Sequence, residues 1–380
     1  MNIYRIHSDF KLFGFQDSIG SSPVLQTSLS DYQEKVVTQK NLKITDIDSK
    51  SALGNMQFPA LVFHANCLFT SQFLEDALKY LETADKTQNI QYGLKLNENT
   101  LRFSLPTEKN AETRKLSFFF KASNDLVYQY VELTGQEFEM KIPMPKQIVP
   151  PGYYSLCQSE VFAADIISPF HLLQANMGLN MNRIIPNQKR IPKSFREKWT
   201  KPNNFFAVLG LKLMNRKGKN CNIHPSAVVE GCILGDNVIV GANAVLRLSI
   251  IGSDTHISDS AVVTYSVIGE RNYVSALNQL SFCLTYEDVF TIHGPYQFSV
   301  FGRSTAVFAT INCDIRLDEK TISIETSNGV INSEQHLLGI AYGHGSKVGA
   351  SNIIASGRLV PNKTILNPPD FIHLKFPTGE

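Results

Sequence analysis

No two of the six cysteines in this 380-residue chain form a C-x-x-C pair; Cys67, Cys157, Cys221, Cys232, Cys283 and Cys313 lie far apart. That spacing suggests neither a zinc site nor a compact disulfide framework, so free thiols in a reducing compartment are expected. No apolar run reaches the ~18 residues that a membrane helix needs. The opening stretch "MNIYRIHSDFKLFGF" also lacks the apolar core of a signal peptide. A cytoplasmic protein with no membrane partner is the expectation. An excess of either charge is missing too: the net charge is +2, and a chain with 18% charged and 43% hydrophobic residues reads as an ordinary globular protein. Such a balance selects no partner, while the length allows two or three domains.

What is present is a repeat. "HPSAVVEGCILGDNVIV" (224–240) is followed by "GANAVLRLSIIGSDTHI" and "SDSAVVTYSVIGERNYV", three consecutive blocks of seventeen residues. Ala227, Ala244 and Ala261 share one column, Val228, Val245 and Val262 a second, and Gly235, Gly252 and Gly269 a third. Ile223, Val229, Leu234, Val240, Leu246, Ile251 and Ile257 fall five or six residues apart, which predicts coils with three short sides and an inward aliphatic row. The glycine column is expected at the corners, where a tight turn accepts positive φ. The same spacing returns at Val348, Ile354, Val360 and Ile365, so a solenoid is expected over 220–366, interrupted by an insertion near 277–336.

The first half reads differently. Ala60–Phe63 suits a buried strand, and Phe73, Leu74, Ala77, Leu78 and Leu81 recur at helical spacing after it. "LRFSLP", "KLSFFFKAS", "LVYQYVEL" and "EFEMKIPM" alternate as strands do. An α/β domain is expected over 1–180. Between the halves, "NRIIPNQKRIPKSFREKWTKPNN" carries seven Lys or Arg against one Glu, with three prolines. It reads as a solvated basic linker, 181–219, or as a basic stripe facing a phosphorylated ligand or an acidic surface. Nucleic acid is not expected, since no reader motif or aromatic stacking pattern accompanies the charge. Residues 367–380 form a tail.

The repeats resemble the left-handed parallel β-helix of hexapeptide-repeat acyltransferases. The order of domains is similar to that of the bacterial two-domain sugar-phosphate nucleotidyltransferase/acyltransferases, the bifunctional N-acetylglucosamine-1-phosphate uridylyltransferase-like family. "PFHLLQAN" (169–176) resembles that family's P-W-D-L-L-x-A-N segment. "ATINCDIRLDEKTISIETSNGV" (309–330) resembles the strand pair that interrupts its solenoid, and "LLGIAYGHGSKVGASNIIASGRLVPNKTI" its last coils. The resemblance implies a nucleotidyltransferase-like α/β domain followed by a left-handed β-helix. It also implies a homotrimer, and a sugar phosphate or nucleotide sugar as ligand, which Asn66 and Asn176 would meet in the first domain.

Departures from the family pattern argue against nucleotidyl transfer. "SIGSSPVLQTSLSDYQEK" has no G-x-G and no Arg, where a phosphate-holding loop needs both amides and cations. His64, Ala65 and Asn66 stand where the family's magnesium-holding Asp is expected, and His171 replaces the Asp of P-W-D. Asn is a poor magnesium ligand beside a carboxylate, so magnesium is not expected, nor any other metal. Acyl transfer remains, with acyl-CoA as donor. It needs a base near neutral pH, and His344, flanked by two glycines at a coil corner, is the candidate, with His293 and His336 behind it. The other reading of His344 is a solvent-exposed corner residue. Thr310, Asn312, Asp314 and Arg316 alternate, so on one strand they would share a face for a sugar or phosphate, or form an internally satisfied polar ladder. Arg358 follows a glycine at a corner and is a further candidate anion contact. The expectation is an acyltransferase of sugar phosphates or nucleotide sugars, the alternative a non-catalytic binding or assembly protein of the same fold.

Overall fold

The apolar run Ala60–Phe63 is buried in a strand, Ala60–His64, at the middle of a six-stranded mixed sheet. The strand order is Ile44–Asp48, Asn2–His7, Ala60–His64, Arg114–Lys121, Ile90–Leu94 and Gln129–Leu133. The first three run parallel, Arg114–Lys121 is antiparallel to both its neighbours, and the last pair is parallel again. This is a computed structural model that describes residues 1–7, 9–49, 56–109, 111–147, 149, 152–183 and 210–367. The chain divides into one unit of Met1–Leu213 with Arg316–Leu337, and another of Met214–Ile315 with Leu338–Glu380.

Helices α1 (Leu29–Thr38) and α2 (Ser71–Thr83) start at Ser28 and Thr70, whose hydroxyls accept the N–H of Asp31 and Phe73. Phe73, Leu74, Ala77 and Leu81 of α2 bury against Phe63, Phe69 and Phe118 of the sheet. The Phe69 and Phe73 rings meet Phe118 edge-on at 5.0 and 5.3 Å, an arrangement worth about 0.5–1.5 kcal/mol per pair beyond the buried area. One expectation fails here. "LRFSLP" is not a strand, because Leu101–Phe103 ends helix α3 (Glu98–Phe103), which Asn97 caps by accepting the Thr100 N–H. Alternation over six residues carries less weight than a cap and a favourable first turn. The α/β unit closes with helix α4 (Pro169–Asn182), buried from Pro169 to Met181.

The second unit is a stack of short parallel strands. Arg216–Lys217, Ile233–Leu234, Ile250–Ile251, Val267–Ile268, Leu284–Thr285, Val300–Phe301, Ala341–Tyr342 and Leu359–Val360 form one eight-stranded sheet. A second eight-stranded sheet runs from Asn222–Ile223 to Ile365–Leu366, and a third covers the remaining side. Three parallel sheets joined by tight corners fit a left-handed β-helix. The inward row is the expected one: Leu234, Val240, Leu246, Ile251 and Ile257 are buried in one cluster, with Ile223 and Val229 partly buried at its first coil. Each fully buried Val, Leu or Ile contributes about 1.5–3 kcal/mol relative to exposure.

Three expectations about the solenoid are corrected. It starts at Arg216 rather than 220, since Arg216 and Lys217 already pair with Ile233 and Leu234. The coils also continue through the segment expected to be an insertion, with Leu284 on Val300 and Phe290 on Ala306, up to Asn312. The chain leaves the stack only at Arg316–Leu337, whose hairpin (Ile322–Thr326 with Gly329–Gln335) belongs to the first unit. Those coils are one residue shorter and fill their interior with Tyr296 and Phe301 in place of aliphatics, so the seventeen-residue columns disappear. The basic linker falls mostly on 184–209, and the tail on 368–380, outside the described residues.

The glycine column serves another purpose than the one expected. Gly235, Gly252 and Gly269 do not have positive φ; that conformation falls two residues on, at Asn237 (57°), Asp254 (58°) and Arg271 (53°). The glycines are needed because the next coil presses on them. A Cβ on Gly252 would lie 2.5 Å from the Gly269 carbonyl, and one on Gly269 would lie 2.3 Å from the Tyr286 oxygen. Gly252→Ala is therefore expected to lower stability by about 1–3 kcal/mol, the usual cost of overpacking, read as a reduced Tm. An unchanged Tm would show that the stack yields at that point.

Candidate functional site

His344 follows the strand Ala341–Tyr342 at a corner between Gly343 and Gly345, the latter at φ 65°. Its ring is fixed from several sides. Nδ1 accepts the Arg303 N–H at 2.8 Å, and the ring meets Tyr286 edge-on with centroids 5.0 Å apart. Its N–H donates to Asn362 Oδ1 and its carbonyl accepts the Lys363 N–H. Gly302 makes the approach possible, since a Cβ there would lie 2.7 Å from both His344 nitrogens nearby, N and Nδ1. Arg303 also binds Glu287 at 2.7 Å and lies 5.5 Å over the Tyr286 ring.

This geometry corrects the role expected of His344. With Nδ1 accepting a backbone N–H, the neutral imidazole carries its proton on Nε2. Held so, the ring presents a donor and not the lone pair a general base needs. It is also half-buried rather than a loose surface side chain. Of the runners-up, His293 sits at a left-handed corner with φ 56°, and His336 follows the hairpin strand of the first unit.

The polar row does not form one face. Only Ile311–Asn312 is a strand, and Arg316 falls in the other unit from Thr310, Asn312 and Asp314. Asn312 Oδ1 accepts the hydroxyl of buried Tyr342 at 2.6 Å, and its Nδ2 approaches Ser299 Oγ at 3.4 Å. Thr310 is buried and turned to the Phe308 carbonyl, while the Asp314 carbonyl accepts the Leu338 N–H and burial raises its carboxyl above the usual range. Arg316 pairs with Asp318 across a turn. Arg358 is exposed, next to Gly357 at φ 69°.

In the α/β unit, Asn176 is fully buried and its amide is spent on its own chain. Oδ1 accepts the Leu25 N–H, and Nδ2 donates to the Pro23 and Leu172 carbonyls, pinning the 23–25 loop to α4. A substrate contact there is not available, because burial has already required both ends of the amide to be satisfied. His171 is likewise structural: Nε2 donates to the Pro106 carbonyl, Nδ1 accepts from Ser168 Oγ, and burial pushes its pKa down to about 4. Asn66 is half-buried in the turn after the central strand, where its carbonyl accepts the Ile166 N–H.

A carboxylate not expected from the sequence stands beside this turn. Asp165 pairs in register with Cys67, is 8% exposed, and takes the N–H and hydroxyl of Ser117 on Oδ2, while Oδ1 has no hydrogen-bond partner. Burial raises its carboxyl above the usual range, and the same desolvation lowers the neighbouring His64. A carboxyl raised by folding contributes stability below its unfolded pKa, about 3.9, and loses it as pH rises through the folded value. Asp165→Asn keeps an acceptor for Ser117 and removes the buried charge. Its Tm is expected to exceed that of the wild type at pH 7–8, with the gap closing as pH falls towards 4; a lower Tm at neutral pH would mean the ionised form is stabilised by its surroundings. Nothing in the spacing of "FAADIISPF" marked Asp165, because its partners come from strands about fifty and a hundred residues earlier.

The second unit has the architecture of a stacked parallel β-helix with a rigid histidine corner. Residues 218–247 match the bacterial transferase hexapeptide family (six repeats). Among solved structures the chain is similar to a candidate acetyltransferase of Bacillus cereus (15% identity, 40% of this chain and 74% of that one, TM-score 0.18). It is similar also to the acetyltransferase domain of PglB from Neisseria gonorrhoeae FA1090 (14%, 47% and 60%, 0.17) and to a hexapeptide transferase family protein from Anaplasma phagocytophilum (17%, 42% and 83%, 0.14). Comparison with curated protein sequences finds no match. Likeness of this order does not extend to activity or substrate. Among the described residues, no helix is long and apolar enough to cross a membrane.

Proposed function

We propose that this chain is a hexapeptide-repeat acyltransferase that moves an acyl group from acyl-CoA to a sugar phosphate or nucleotide sugar. The observation that carries the reading is His344, held at a coil corner with its proton on Nε2 by the Arg303 N–H. Attack on a thioester places negative charge on the carbonyl oxygen, and a fixed N–H aimed at that oxygen stabilises the transition state. Exposed Arg358 supplies a cation for a phosphate on either substrate. The first unit serves ligand binding in this reading, as a degenerate nucleotidyltransferase-like domain.

The proposed enzyme is a homotrimer. Exposed apolar residues stand on the outside of the solenoid: Ile311 and Ile353 pair with 57% and 71% exposure, and Ile239 and Tyr273 stand on another side. Ile353→Asp is expected to shift the mass in sedimentation from trimer to monomer. A monomeric wild type would remove the trimer from the proposal.

The test of the activity is thiol release from acetyl-CoA in the presence of sugar phosphates and nucleotide sugars, with a thermal-shift panel of the same ligands and of nucleoside triphosphates with magnesium. Acceptor-dependent release is expected, with no pyrophosphate formed from the triphosphates. A second reading, a non-catalytic binding or assembly protein, is favoured by the engagement of Asn176, His171, Asn312 and Arg316 within their own chain. Stabilisation by a nucleotide sugar with no thiol release would select that reading.

A further inference from the structure

Among the described residues, one group brings three metal-ligating side chains together: Glu98, Glu139 and Cys157, with donor atoms all within 4.8 Å of one another. Glu139 and Cys157 are direct cross-strand partners in the antiparallel pair Glu137–Pro143 with Tyr153–Ser159. Glu98 reaches them from the first turn of α3. We propose that these three residues bind a zinc ion that fastens α3 to the hairpin.

Two features support a cation here beyond the presence of acids. Cys157 is 0% exposed, so a thiol is buried against two carboxylates, with Ser155 Oγ 2.7 Å from both Sγ and Glu139 Oε1. Asn99, the next residue of α3, is 1% exposed; its N–H donates to Glu137, yet its side-chain oxygen has no hydrogen-bond partner. Glu137 adds a third carboxylate next to the pair, and its Oε1 accepts the Asn99 N–H at 2.8 Å. Lys141, 3.5 Å from Glu139 and stacked on Tyr153, offsets only part of this charge.

One sulfur with two carboxylate oxygens is a donor set for zinc rather than for magnesium or calcium, which take oxygen alone. Binding exchanges the thiol proton for the metal: the S–H bond breaks, a Zn–S bond forms, and the proton passes to solvent. No C-x-x-C spacing signals the site, since its ligands come from one helix and two strands.

The experiment is equilibrium dialysis of the chelator-treated full chain against zinc alone, with cobalt as a spectroscopic probe. One zinc per chain is expected, with a raised Tm and a sulfur-to-cobalt charge-transfer band. Cys157→Ser should remove the band, and Glu98→Gln, on an exposed side chain, should weaken zinc binding by at least ~10-fold. Cys221→Ser should change neither. Absence of stoichiometric binding at micromolar zinc, or binding that both Glu98→Gln and Cys157→Ser leave unchanged, would overturn the proposal and mark any bound zinc as adventitious. If Cys157→Ser does not fold, Glu98→Gln alone decides.

Discussion

Leu246→Asp is expected to abolish cooperative folding of the solenoid, while Val245→Asp, one residue away, leaves it folded. Leu246 is fully buried in the stack between Val229 and Val263, whereas Val245 points outward and is half-buried. Loss of the leucine alone costs about 2–5 kcal/mol, and an unpaired buried carboxylate adds several more, which together reach the whole stability of a typical domain. On the outward side the cost is that of a poor strand former, within about 1 kcal/mol. Thermal unfolding by circular dichroism distinguishes the two. Equal losses in both variants would show that the inward and outward assignments of this coil are wrong.

His344→Ala is expected to lower the acyl-transfer rate by about 100-fold or more, the effect of deleting one preorganised donor to a developing oxyanion. His344→Gln tests the donor role directly. Its side-chain amide can still donate an N–H but cannot take up a proton, so a donor role predicts that it recovers a large part of the rate lost in His344→Ala. A base role predicts that both variants are equally inactive. Full activity in His344→Ala would remove the residue from the site. Since Nδ1 and the backbone of His344 bind Arg303, Asn362 and Lys363, a Tm measurement on each variant is needed to separate loss of chemistry from loss of the corner.

Much of the fold was legible because its signals are local or periodic. The central strand at Ala60 and the helix carrying Phe73 and Leu81 follow from apolar spacing alone, and both form. The coils from 223 to 274 were legible because stacking repeats the same environment every seventeen residues, which selects the same residue types. The coils at 284–312 were not, since a one-residue change in length shifts the columns and aromatic residues fill the interior instead. Of the candidate site, the sequence marked His344 and Arg358 but not the Arg303 N–H that fixes the His344 ring, because that contact joins two different coils.

By itself, the amino-acid sequence determined the two-part organisation, the inward aliphatic row and the glycine column, since each repeats a local preference along the chain. The tertiary structure alone decided what those glycines are for, because the close approach of Gly252 to Gly269 exists only once coils stack. It decided the proton position on His344 through an N–H forty-one residues away. It also set Asp165 against Ser117 and gathered Glu98, Glu139 and Cys157. Protonation, desolvation and ligand geometry depend on which groups meet in space, and those meetings join positions whose separation in the chain carries no regular spacing to read.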